Sequence, residues 1–148
     1  VIICYKLGVP LTLATPEPVE PYESQDKDVQ GLISSSPSIT HTTDVMNAVK
    51  NADFVYTDTW VDMQHFNNPD LAEKKIDTLG KMLPYQINES LLSGIDCKIM
   101  HDMPIHDGYE ITTEMVQDPR SIIFQQAENR LHAQKGLLWW LYEKAGTI

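Results

Sequence analysis

Three short segments concentrate side chains that bind charge or move protons. Asp58-Thr59-Trp60-Val61-Asp62-Met63 holds two carboxylates four residues apart. His101-Asp102-Met103-Pro104 sets an imidazole beside a carboxylate, and Gln126-Ala127-Glu128-Asn129-Arg130-Leu131-His132 carries a guanidinium. Clustered carboxylates attract a cation, and each strengthens the other's hold on its proton, so that one can serve as a base near neutral pH. Arg130 offers a planar fork for a phosphate or carboxylate. An amine and a phosphorylated donor are a sensible pair of ligands for such a set. The repeated pair His101-Asp102 and His106-Asp107 raises a metal reading, but a spacing of five along a loop with Pro104 is not diagnostic. Each residue also has a plainer reading. Asp58 suits a cap or loop carboxylate, Asp62 a solvated one, Trp60 a core position, and Arg130 a structural ion pair with Glu128 or Asp118. His41, His65 and His132 read as surface or structural residues.

All three segments follow apolar runs that read as strands, over 52–57, 97–100 and 121–124. A further strand is expected over 9–14, after a short helix at 1–8 that stops at Gly8. Helices are expected near 24–33, from Thr43 or Asp44 to about Asn51, from Pro69 or Asp70 to about Gly80, over 88–93, and from Thr112 or Thr113 to Gln117. One long helix covers 126–144, with Leu131, Leu137, Leu138 and Leu141 as an expected core stripe. Strands alternating with helices predict an α/β fold, a three-layer Rossmann-like doubly wound parallel sheet. Ligands bind such sheets outside the C-terminal strand ends. The three segments should therefore converge, bringing Asp58, Asp62, Asp102 and Asp107 together with Arg130 nearby. A doubly wound domain normally opens on its central strand, and none precedes the first helix. The sheet is therefore expected to lack that strand, and the chain to be a piece of a longer protein. Unpaired edges on both neighbouring strands would make it fold poorly alone.

Composition narrows the class. The 148 residues are 42% apolar, enough for one domain with a core. The balance of 11 Lys and Arg against 21 Asp and Glu, a net charge of −10, argues against nucleic acid. No apolar run reaches the ~20 residues that span a bilayer, and the opening residues do not read as a signal peptide. Two cysteines, Cys4 and Cys97, form no disulfide framework, which makes a reducing, cytoplasmic setting the expectation.

The ordered set Ala52-Asp53-Phe54-Val55-Tyr56-Thr57-Asp58-Thr59-Trp60-Val61, Pro84-Tyr85-Gln86-Ile87-Asn88-Glu89, His101-x-Met103-Pro104 and Phe124-Gln125-Gln126-Ala127-Glu128-Asn129-Arg130-Leu131-His132-Ala133-Gln134-Lys135 resembles the transcarbamylases, most nearly the ornithine carbamoyltransferases. The resemblance implies that residues 1–148 are the amino-acid-binding second domain. The carbamoyl-phosphate-binding domain, with its Ser-Thr-Arg-Thr-Arg and His-Pro-Thr-Gln motifs, is not in this sequence. It implies carbamoyl transfer from carbamoyl phosphate to ornithine or a related amine, no metal or organic cofactor, and a homotrimer with active sites between subunits. The isolated chain would then be inactive. Asp58 would hold the substrate amino group, the Met103 carbonyl would contact the carbamoyl group, and Arg130 would bind carbamoyl phosphate. Met63 matches the family, whereas Asp62 replaces a serine, Asp102 a cysteine and Asp107 an arginine. Asp102 would then act as base or hold the ammonium. The added negative charge also disfavours an α-carboxylate, which keeps a putrescine-type diamine as the alternative acceptor. A non-catalytic amine-binding paralogue and a metal-dependent hydrolase using His101, Asp102, His106 and Asp107 are the competing classes.

Overall fold

The computed structural model describes residues 1–16, 31, 35–61 and 66–146. Helix α1 (Ile2–Leu7) ends at Gly8, whose φ of 66° turns the chain left-handed and lets the cap amide reach the Cys4 and Tyr5 carbonyls. Strand β1 (Leu11–Ala14) pairs in parallel with β2 (Ile39–Thr42), Leu11 opposite Ile39 and Ala14 opposite Thr42. Helix α2 (Val45–Val49) is capped by Asp44, whose carboxylate accepts the Asn47 amide. Strand β3 (Phe54–Thr57) pairs in parallel with β4 (Lys98–His101), and Thr57 stands opposite His101. Between them runs α3 (Ala72–Met82), entered through a 3-10 turn at Pro69–Leu71 and left through another at Leu83–Tyr85. Helices α4 (Thr113–Val116) and α5 (Ile123–Lys144) complete the chain.

The architecture is α/β with parallel strands, as expected. Among the described residues the strands form two separate pairs, β1 with β2 and β3 with β4, so β1 and β3 each pair along one edge only. Phe54 and Tyr56 on β3 remain exposed. No helix of the described residues is long and apolar enough to cross a membrane. The core gathers around β4, where Ile99 meets Ile87, Leu92, Ile111, Met115 and Ile123. Ile99, Ile111 and Ile123 are wholly buried, each contributing about 2 kcal/mol. Arg120 ties this core to its surroundings. Its guanidinium donates to the Leu92 and Ile95 carbonyls at 3.0 and 2.6 Å and to both oxygens of Asp118 at 2.9 Å. That guanidinium pulls the Asp118 carboxyl down to about 2.

Four local expectations change. The strand expected over 121–124 shrinks to a single bridge between Ser121 and Ile99, and the helix begins at Ile123. The reason is visible on β4. The next ladder donor, the His101 amide, bonds Gln126 Oε1 at 3.1 Å, a side chain that only the wound helix presents. The helix expected over 88–93 is a run of turns between the Asn88 cap and Gly94, too short to propagate. Strand β2 was not anticipated, although its β-branched Ile39, Thr40 and Thr42 suit a strand. The stripe Leu131, Leu137, Leu138 and Leu141 is exposed rather than core. Helix α5 buries Ile123 against β4, and its later turns stay exposed among the described residues. Apart from Gly31, the helix expected near 24–33 lies outside the described residues.

Candidate active site

Parallel pairing of β3 with β4 brings the residues just past both strands side by side. Asp58 follows Thr57, and Asp102 follows His101, its register partner. Asp58 Oδ1 accepts the Thr59 amide at 2.6 Å, which fixes its rotamer. The Asp102 carboxyl, 43% exposed, is pushed above the usual carboxylate range, first by partial burial and next by the charge of Asp58. Tyr56 belongs to the same group. Partial burial of this otherwise exposed residue, then Asp102 and Asp58, raise its hydroxyl, while a hydrogen bond with Gln126 works the other way. An open cavity of about 460 Å³ is lined by Asp102, Gln126, Ala127, Asn129, Arg130 and Ala133. Helix α5 thus presents Gln126, Asn129 and Arg130 at one-turn spacing toward Asp102. The structural ion pair considered for Arg130 is absent among the described residues: Asp118 holds Arg120, and Glu128 faces His132 at 3.8 Å.

The loop past β4 is held by buried polar groups. His101 is wholly buried, and its Nδ1 accepts the Met103 amide at 2.8 Å. A backbone amide can only donate, so the ring proton sits on Nε2, which faces Glu110 Oε1 at 3.3 Å. The same Glu110 oxygen accepts the His106 amide at 2.6 Å. Met103 has φ of 60°, the one positive value on a non-glycine among the described residues, and the Met103-Pro104 peptide is cis. The far end of the loop is tied by Gln86, whose Nε2 donates to the Gly108 and Tyr109 carbonyls, both at 2.9 Å.

Asp58, Asp102, Met103 and Arg130 therefore fall in one neighbourhood. Asp62 and Met63 lie outside the described residues. Asp107 does not join the cluster; its carboxylate accepts the Thr113 hydroxyl at 2.6 Å at the start of α4. The metal reading fares no better, because both ring nitrogens of His101 are engaged, and the described residues hold no group of three or more metal-ligating side chains. Sequence reasoning missed Tyr56, Gln126 and Glu110. Two of these sit in or next to the quoted segments, but nothing local separates a buried glutamate from the flanking solvated acids.

The family model of the aspartate/ornithine carbamoyltransferases, Asp/Orn binding domain, matches residues 1–141. The chain belongs to this family. Among the relatives of this chain, the ornithine carbamoyltransferase of Methanococcus aeolicus is 41% identical over 146 residues, covering 95% of this chain and 46% of that protein. The solved ornithine carbamoyltransferase of Pyrococcus furiosus is 36% identical at a TM-score of 0.71, covering 90% of this chain and 42% of the other. That of Campylobacter jejuni is 26% identical at a TM-score of 0.76, covering 97% and 46%. The chain spans somewhat under half the length of these carbamoyltransferases.

Proposed function

We propose that this chain is the amine-binding half of a carbamoyltransferase that moves the carbamoyl group of carbamoyl phosphate to ornithine or a closely related amine. The observation that carries the reading is the meeting of Asp58 and Asp102 at adjacent strand ends beside a cavity lined by Arg130. Asp58 and Asp102 bracket the substrate ammonium, and the resemblance to the family assigns Asp62 and Met63 to substrate binding as well. Asp102, whose hold on a proton is strengthened, accepts the first proton and frees the neutral amine. The amine nitrogen attacks the carbonyl carbon, forming the carbon–nitrogen bond. The carbon–oxygen bond to phosphate breaks, its electron pair leaves on the phosphate oxygen, and that oxygen takes the second proton released from nitrogen. Arg130 stabilises the charge gathering on the phosphate, and the Met103 carbonyl orients the carbamoyl group.

The rest of the longer protein supplies the carbamoyl-phosphate domain and a strand between β1 and β3, a reading supported by the one-sided pairing of both strands. A homotrimer in the cytoplasm completes the reading, supported by the family and by the free thiols Cys4 and Cys97. The test is carbamoyl-phosphate-dependent product formation by the full-length protein across ornithine, putrescine, lysine, agmatine and aspartate. Ornithine is the expected acceptor. Turnover of putrescine alone would show that the extra carboxylates reset the acceptor, and a folded protein that turns over none of the five would overturn the reading.

A further inference from the structure

We propose that Glu110, which takes no part in the chemistry above, is a positioning residue for carbamoyl transfer, acting through His101 to hold the Met103 peptide in place. The proposal rests on the functional reading just given. The Glu110 side chain is wholly buried, and its Oε2 has no hydrogen-bond partner among the described residues. An apolar side chain would fill the same volume but accept from neither neighbour, so packing alone does not account for a carboxylate. What the carboxylate supplies is an acceptor shared by two donors, His101 Nε2 at 3.3 Å and the His106 amide at 2.6 Å.

The first of these bonds has a consequence at the site. With the ring proton directed to Glu110, His101 Nδ1 stays an acceptor and takes the Met103 amide at 2.8 Å. Met103 needs that hold, since its φ of 60° lies where an L side chain is disfavoured. Its carbonyl is the group assigned to the reacting carbamoyl, and Asp102 is the residue between the two. The His101 amide is tied in turn to Gln126 on the helix that carries Arg130. Glu110 therefore ends a hydrogen-bond chain that reaches both substrate-facing sides of the cavity.

The experiment compares Glu110→Gln, Glu110→Asp and Glu110→Met in the full-length protein. It measures kcat and the amine KM at saturating carbamoyl phosphate, and the His101 tautomer by nitrogen-15 NMR. Glu110→Gln keeps the shared acceptor and should stay within about threefold of the parent kcat. Glu110→Met should lose the fixed tautomer and drop kcat about 10- to 100-fold per folded site, with KM changed much less, as expected of a misplaced reacting group. If Glu110→Met does not fold, Glu110→Asp carries the test, with an expected kcat loss of about tenfold and a disturbed tautomer. A folded Met or Asp variant with the parent tautomer, or with a disturbed tautomer and the parent kcat, overturns the proposal. If the parent protein transfers no carbamoyl group, the functional reading fails by itself. The tautomer then decides whether Glu110 sets the ring, and an unchanged tautomer in the folded variant refutes it.

Discussion

His101-Asp102 and His106-Asp107 are the same dipeptide five residues apart, and the fold uses them in opposite ways. His101 is the last residue of β4, wholly buried, with both ring nitrogens engaged. Its neighbour Asp102 emerges at the strand end beside Asp58. His106 is also buried, but its ring stacks on Phe66 at 3.9 Å, and its Nε2 has no partner among the described residues. Asp107 turns to the Thr113 hydroxyl and contributes to a helix start. Residue type and spacing are equal in the two pairs, so they cannot be what makes one of them a site. The difference lies in the backbone: a strand in register with β3 delivers Asp102 to Asp58, whereas a loop clamped by Gln86 delivers Asp107 to α4.

The sharpest way to break this contrast is to remove each imidazole. His101→Phe leaves the Met103 amide and the buried Glu110 carboxylate short of a partner, and should cost about 3–5 kcal/mol. His106→Phe keeps an aromatic stack on Phe66 and removes an unpaired buried nitrogen. It should change stability by less than about 1 kcal/mol in either direction. Urea unfolding of the full-length protein reads both, and equal losses would mean that the two rings are held alike. Asp107→Ala removes one bond to an exposed hydroxyl, with an expected loss of about 1 kcal/mol at most.

A smaller effect sharpens the electrostatic side. Burial and Asp58 raise the Asp102 pKa in the folded state. Between the ordinary carboxylate value and the raised one, the folded protein holds more protons than the unfolded one, so stability falls as pH rises through that window. Asp102→Asn should therefore raise the melting temperature slightly at pH 7, with the gain disappearing below about pH 3, under the usual carboxylate value. Asp107→Asn weakens the bond to the Thr113 hydroxyl and should not raise the melting temperature; a gain equal to that of Asp102→Asn would contradict the asymmetry.

Much of this contrast was legible in the sequence, but unevenly. The strand ends that carry Asp58 and Asp102 could be read because short apolar runs before a polar segment mark parallel strands, although β3 leaves Phe54 and Tyr56 exposed among the described residues. Asp107 could not be separated from Asp102 that way, because its partner Thr113 stands six residues on and becomes its neighbour only after the loop closes. The same holds for Gln126, whose amide replaces a ladder carbonyl and so turns an apparent strand at 121–124 into the first turn of α5. The leucines of α5 show the opposite limit. Their spacing correctly marks an apolar helix, but what covers a helix face is a tertiary fact. In this chain Leu131, Leu137, Leu138 and Leu141 stay exposed, while a histidine and a glutamate are wholly buried.

The most direct test of the account is the turnover of Asp102→Asn and Asp107→Asn side by side, in the full-length protein with ornithine and saturating carbamoyl phosphate. Loss of a positioned base typically costs about 10²- to 10⁴-fold, so Asp102→Asn should fall at least about 100-fold while Asp107→Asn stays within about threefold. Equal activity in the two variants, or a greater loss at Asp107, would contradict the assignment of the chemistry to the end of β4.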